Sequence, residues 1–167
     1  MPHDLIVERL ESLLTYSPET GEWRWRVSPN NGCTRAGSIA GHISRFGYRR
    51  IRIDGRNYFS APLACLYMTG RWPVAEMDHI DLDRSNDRWA NLREATVSQN
   101  KANRRRFKTS ASPLKGTTFY ASRNKWRAQI YRDGQCRFLG HFDTAEEAHA
   151  AYRDAALAEH GEFARFD

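Results

Sequence analysis

Apolar positions along this chain fall into groups with different spacings. Leu5, Ile6, Val7, Leu10, Leu13 and Leu14 recur with roughly helical period after Asp4, a residue suited to N-capping, so the pattern predicts an opening helix. Ser17-Pro18-Glu19-Thr20-Gly21 reads as a turn. Trp23, Trp25 and Val27 then alternate with Arg24 and Arg26, the pattern of a half-buried strand. Gly47–Ile53 and Asn57–Phe59 flank Asp54-Gly55, which predicts a hairpin. A short helix is expected from Pro62 to about Met68, stopped by Gly70. Further on, Thr117–Tyr120, Lys125–Tyr131 and Arg137–Phe142 predict three strands, with Asp133-Gly134 turning between the last two. Thr144 and Glu147 form a capping box for a long helix. Ala148, Ala151, Tyr152, Ala155 and Ala156 give that helix a small-residue face, and Gly161 ends it.

Composition narrows the class. The 167 residues suit one or two small domains. No apolar run approaches the ~18 residues that span a bilayer, and Met1-Pro2-His3-Asp4 lacks the pattern of a signal peptide. A cytoplasmic protein without a membrane partner is expected. Cys33, Cys65 and Cys136 are far apart, odd in number and form no CxxC pair, so reduced thiols are expected rather than a structural zinc site.

Charge points to a partner. The net charge is +6, yet Lys101–Arg132 holds ten basic residues and no acidic one, leaving −4 for the remainder. A concentrated positive field attracts phosphate polyanions. Phe107, Phe119, Tyr120, Trp126 and Tyr131 within the run argue against a disordered basic tail, which would be poor in aromatics. Nucleic acid is the leading partner.

The chemistry concentrates between Met77 and Asn100. Hydrolysing a phosphodiester needs a base, a hard cation to offset charge on the phosphate, and a rigid frame. Imidazole titrates near neutrality and suits the first task. Carboxylate and amide oxygens suit magnesium. Asp81-x-Asp83-x-Ser85 begins like a calcium loop, but Asn86 stands where that loop needs Gly and Leu92 where it needs Glu. Any one His with two Asn would otherwise be read as a polar surface turn.

Taken together, Asp78-His79, Asn91 twelve residues on and Asn100 nine beyond that resemble the HNH nuclease motif, in the form where Asn replaces the third His. That form is common in phage and intron homing endonucleases. The resemblance implies a ββα-metal fold, with two short strands around the 80–90 loop and a helix from about Ser98 to Arg105. It implies His79 as general base, Asp78 and Asn100 as ligands of a divalent metal (magnesium, with manganese as the alternative), and Asn91 as the brace that orients His79. Arg84, Arg88 and Arg93 are left between phosphate contact and framing of the loop. The upstream segments Leu14–Trp25 and Gly47–Gly55 look like the usual N-terminal part of these proteins. One departure is Ala61-Pro62-Leu63, where the family often has His-Arg-Leu.

The C-terminal segments Lys125–Ile130, Phe138–Ala148 and Ala155–Gly161 resemble the DNA-binding domain of plant ethylene-response factors, the APETALA-type domain. That domain is a three-stranded antiparallel sheet packed on one helix, with the sheet entering the major groove. Strand alternation puts Trp126, Ala128 and Ile130 toward the helix, and Arg127, Gln129 and Tyr131 toward DNA.

The expectation is an α+β chain: an N-terminal α+β extension over 1–73, an HNH core over 74–106, a linker over 107–114 and an ethylene-response-factor-like domain over 115–167. The expected activity is that of a metal-dependent endonuclease on double-stranded DNA, a site-preferring homing-type nickase in a bacterial or phage-infected cell, acting as a monomer or weak dimer. Arg104, Arg105, Lys115, Arg123, Lys125, Arg127, Gln129, Tyr131 and Phe138 are the expected DNA contacts. The rival reading is a catalytically inactive DNA-binding regulator.

Overall fold

The computed structural model describes residues 5–28, 34–106 and 112–167. Asp4, Cys33 and positions 107–111 of the expected linker lie outside them. The chain divides into two compact units, Met1–Glu94 and Ala95–Asp167, and both mix helix with antiparallel sheet. The fold class is α+β.

The first unit opens with α1 (Val7–Leu13), one short helix rather than the longer one expected. Leu14 has extended backbone and starts β1 (Leu14–Tyr16), which pairs with β2 (Trp23–Trp25). Ladder pairing with Trp25 overrides the helical spacing of Leu13 and Leu14. Val27, expected in the strand, lies beyond β2 and is exposed. A second sheet follows in the order β3 (His42–Ile43), β4 (Arg49–Ile53), β5 (Arg56–Phe59). Asp54 and Gly55 both take positive φ, 47° and 81°, as a type I′ hairpin turn requires. Ile51 and Ile53 point into the core while Arg50 and Arg52 are exposed.

α2 (Ser60–Thr69) begins two residues before the predicted start and carries Pro62 in its first turn, where a missing N–H costs nothing. Gly70, at φ 72°, closes it, and its N–H bonds Leu66 O at 2.9 Å. Ala61 is buried in this helix as part of the core that holds Leu63 and Ala64. The core gathers Leu10, Leu14, Trp23, Ile51, Ile53 and Leu63, all fully buried. The Trp23 ring sits 4.7 Å from Tyr16 and 5.6 Å from Tyr67, ring centre to ring centre. β6 (Glu76–His79) and β7 (Leu92–Ala95) form a two-stranded sheet around the 80–91 loop.

The second unit holds α3 (Val97–Ala102), β8 (Thr117–Tyr120), β9 (Lys125–Arg132), β10 (Gln135–Phe142) and α4 (Ala145–His160). Strand order is β10-β9-β8, all antiparallel. Thr144 caps α4 through the expected box with Glu147, and Thr96 caps α3 the same way with Gln99. Tyr152, Ala155 and Ala156 of α4 pack on Ile130 of β9. Gly116 permits this approach, since a Cβ there would stand 2.1 Å from the Tyr152 ring.

The boundary at 94/95 differs from the sequence reading, which kept residues 74–106 together. Hydrogen bonds tie α3 into the second unit. The Lys115 ammonium donates to Ala102 O and Arg165 O at 2.8 Å and to Arg104 O at 2.5 Å. Arg165 Nε reaches Asn103 Oδ1 at 3.2 Å, and Asp133 N–H reaches Ser98 Oγ at 3.1 Å. Ser98 and Asn103 thus spend polar side-chain atoms on contacts within this unit.

Candidate active site

Asp78 and His79 end β6, and both are buried. Their partners explain how two polar side chains are tolerated there. His79 Nε2 lies 3.0 Å from Asp87 Oδ1. Asp78 Oδ2 lies 3.0 Å from Arg93 Nε, and Arg93 is only 12% exposed. Asp87 is itself 1% exposed and is held twice more, its second carboxylate oxygen accepting from Ser60 Oγ and its backbone carbonyl from the Tyr16 hydroxyl at 2.6 Å. Burial and the neighbouring Asp87 charge push the Tyr16 hydroxyl far above the ordinary phenol range, so it remains a donor.

Asp87 is a buried partner of His79 that motif reading did not single out. It stands eight positions after His79 in an acidic, Asn-rich run that looks like solvated surface. The available signal was that its neighbours Asn86 and Arg88 belong to the same motif block. With Nε2–H donated to a carboxylate, the imidazole carries its lone pair on Nδ1, which is the tautomer a general base needs.

The Asn91 side chain bonds within the loop, to Asp81 and Asn86. Its amide oxygen accepts from Asp81 N–H at 3.1 Å, and its NH2 donates to Asp81 Oδ1 at 2.9 Å and Asn86 O at 2.8 Å. The imidazole is oriented by Asp87, while Asn91 fixes the backbone after it. Asp81 also accepts from Asn86 Nδ2 at 2.6 Å and Asp83 N–H at 2.8 Å. Partial burial pushes the Asp81 carboxyl up, but these bonds outweigh it and hold the group below its ordinary 3.8. Leu82 adopts φ 69° within this bonded loop, a conformation a branched side chain rarely takes.

The Ser17–Gly21 turn supports the same loop. Trp89 N–H bonds Pro18 O at 2.9 Å, and a Cβ on Gly21 would meet Asp87 C at 2.5 Å and Arg88 N at 2.6 Å. Gly21 also has φ 73°. Gly21→Ala is therefore expected to lower unfolding stability by ~2 kcal/mol or more, since backbone rather than a side-chain tip must yield. Chemical denaturation checks this, and an unchanged midpoint and slope would contradict the packing described.

Asn100 stands on α3 in the second unit, its N–H bonded to Thr96 O at 2.9 Å. Among the described residues no group of three His, Cys, Asp and Glu side chains is placed to hold a metal. In the first unit Asp78 is the carboxylate that could take an ion, with water and substrate phosphate filling the rest of its shell. Such a hard oxygen donor suits a hard divalent cation, and Arg93 holds the Asp78 carboxylate in place.

Among the expected DNA contacts, Arg104, Arg105, Gln129 and Tyr131 line one open cleft of about 800 Å³ in the second unit. Lys115 lines it too, but its ammonium is spent on three carbonyls, and burial pushes its pKa down to about 8. It ties α3 in place rather than facing a ligand. Lys125 pairs with Asp143. On β9, Ala128 and Ile130 are buried beneath α4, whereas Arg127, Gln129 and Tyr131 share the opposite face with Phe138. Tyr131 and Phe138 are 60% and 54% exposed, so this face offers rings to a partner. Arg127 Nε is shielded from solvent without a hydrogen-bond partner among the described residues. Arg123 lies in a 3₁₀ turn between β8 and β9. Cys65 is a buried free thiol and Cys136 an exposed one.

A family model described as HNH endonuclease matches residues 62–102, a span holding Asp78, His79, Asp87, Asn91 and Asn100. Over 90 residues the chain is 34% identical to Protein 3.8 of Escherichia phage T7, covering 54% of this chain and 74% of that protein. The chain belongs to the HNH endonuclease family. It is an enzyme, a nuclease. Over 57 residues it is also 39% identical to the AP2-like ethylene-responsive transcription factor TOE2 of Arabidopsis thaliana, spanning 34% of this chain and 12% of that protein. Among solved structures, the HNH homing endonuclease I-HmuI, described for its DNA binding and cleavage, aligns with a TM-score of 0.44 and 19% identity, over 93% of this chain and 90% of that one. No helix among the described residues is long and apolar enough to cross a membrane.

Proposed function

We propose that this HNH nuclease hydrolyses double-stranded DNA in a metal-dependent reaction, nicking one strand per active site at preferred sequences. The observation that carries the reading is the buried His79–Asp87 pair directly beside Asp78. Asp87 holds the imidazole, and Nδ1 of His79 takes a proton from the attacking water. By the motif, Asp78 and Asn100 are the residues that would hold a magnesium-like ion, which when bound would offset charge on the phosphate and the departing oxygen. Asn91 keeps the loop after His79 fixed. A chain with one such site cuts one strand, so a double-strand break takes two chains or two events.

The C-terminal unit is the DNA-holding part in this reading, as the likeness to a plant transcription factor and the +10 charge of Lys101–Arg132 suggest. Arg127, Gln129, Tyr131 and Phe138 face the duplex, with Arg104, Arg105 and Arg123 on phosphate. Lys115 leaves this set. Arg123→Ala is expected to flatten the salt dependence of duplex binding by about one counterion. Lys115→Met is expected to leave that slope unchanged and to lower the melting temperature. Anisotropy titrations at several salt concentrations, paired with thermal melts, check both.

The reading is tested by incubating end-labelled duplexes with magnesium, manganese or chelator and resolving both strands on denaturing gels, with calorimetric manganese titrations of wild type, Asp78→Ala and Asn100→Ala. Metal-dependent cutting of one strand, with ion affinity lost in both variants, is the expected result. Cutting in chelator, or equal affinity in all three proteins, would overturn the metal assignment.

A further inference from the structure

We propose that Arg84 is a catalytic residue, the guanidinium that grips the scissile phosphate beside His79. The inference rests on the reading of His79 as the base and extends it to the group that meets the phosphate charge.

Three arginines follow His79 in the motif, and their surroundings separate them. Arg93 is half-buried and paired with Asp78. Arg88 is exposed, and its backbone is engaged, its carbonyl accepting from Asn91 N–H at 2.9 Å and its nitrogen lying 2.6 Å from where a Cβ on Gly21 would stand. Arg84 is exposed and has no carboxylate partner among the described residues, yet it is held in place. Its guanidinium carbon lies 4.9 Å from the centre of the Tyr48 ring, and Nη1 donates to Phe46 O at 3.1 Å. Its stem runs over Gly47, where a Cβ would stand 3.5 Å from Arg84 Cβ and 3.8 Å from Cδ. The Tyr48 ring on which it rests is 6.0 Å from the His79 ring.

The missing counter-ion matters because two carboxylates sit close by in sequence. Asp81 spends its oxygens on Asn86, Asn91 and the Asp83 N–H, and Asp83 bonds the Ser85 hydroxyl and N–H. Neutral donors occupy the acids, so the cation keeps its charge for something else. A guanidinium has five N–H donors, and among the described residues one of them is used. Its fork matches two phosphate oxygens, a geometry an ammonium cannot reproduce. Stacking on Tyr48 fixes the group before substrate arrives, which reduces the ordering cost on binding. Charge builds on the phosphate oxygens as water attacks, so a fixed cation there acts mainly on the transition state.

The test is single-turnover cleavage of plasmid DNA by full-length protein at saturating concentration in magnesium, with DNA affinity measured separately in chelator. Arg84→Met should lower the saturating rate by about 100-fold, with affinity changed less than ~3-fold. Arg84→Lys should recover only part of the loss. Tyr48→Leu should cost about 10-fold alone and nothing further in the Arg84→Met background, because both changes remove one arranged group. Arg84→Lys and Tyr48→Leu decide the matter if Arg84→Met does not fold. A weakened affinity with an unchanged saturating rate would make Arg84 an ordinary phosphate contact and overturn the proposal, as would no change in either quantity. His79→Ala, run in parallel, separates this from failure of the nuclease reading itself. If His79→Ala cuts like wild type, the base assignment fails. If it is inactive and Arg84→Met is not impaired, only the Arg84 proposal fails.

Discussion

Replacing His79 with alanine is expected to lower single-turnover DNA cleavage by ~10²- to 10⁴-fold, the range over which a positioned general base acts. DNA affinity should stay near wild type, because His79 is 5% exposed and offers little surface to bind. The variant also leaves the Asp87 carboxylate buried without one of its partners, so stability should fall by ~1–3 kcal/mol. Rapid-quench cleavage at saturating protein, anisotropy in chelator and a denaturation curve separate these effects. Loss of activity that merely tracks unfolding would assign His79 a structural role only.

The second large effect is expected at Asp87. Asp87→Asn keeps the size and the Ser60 contact but offers an NH2 group where His79 Nε2 now meets an oxygen. The imidazole must then turn or accept at Nε2, which moves its proton to Nδ1 and removes the lone pair from the working side. Cleavage should drop by ~10²-fold or more while the protein stays folded. Asp87→Ala adds instability, because Ser60 and His79 are both left without this acceptor. Proton NMR of the imidazole nitrogens distinguishes the tautomers in the Asn variant. An Asn variant with full activity would show that Asp87 only fills space.

Much of this architecture was legible in the spacing of apolar residues. The Asp54-Gly55 and Asp133-Gly134 hairpins, the Thr144–Glu147 box and the three C-terminal strands all stand where local chemistry puts them, because turn and cap preferences act over a few residues. Misreadings came where partners are remote. Leu14 has helical spacing, but pairing with Trp25 makes it a strand. Lys115 reads as a DNA-facing cation, yet carbonyls at positions 102, 104 and 165 claim its ammonium. The placing of Asp78, His79 and Asn91 around one loop was legible because the motif fixes their spacing. Asp87 was not, since nothing in the local pattern says that an aspartate in a polar loop will be buried by Tyr16 and Ser60 from 71 and 27 residues away.

The division of the chain also bears on function. α3, which carries Asn100, belongs with the C-terminal sheet, whereas Asp78 and His79 belong with the N-terminal unit. Residues that lie within one family motif are thus stabilised by two different cores, and substitutions in either unit reach motif residues. This gives a physical reason to examine Lys115 and Gly21 as well as the motif itself.

The most direct test of the central claim is relaxation of supercoiled plasmid by wild type and His79→Ala, each with magnesium and with chelator. The account predicts open-circle DNA from wild type in magnesium alone and intact supercoils in the other three reactions. Plasmid that is bound but uncut by wild type in magnesium and in manganese, or cut equally by His79→Ala, would contradict it.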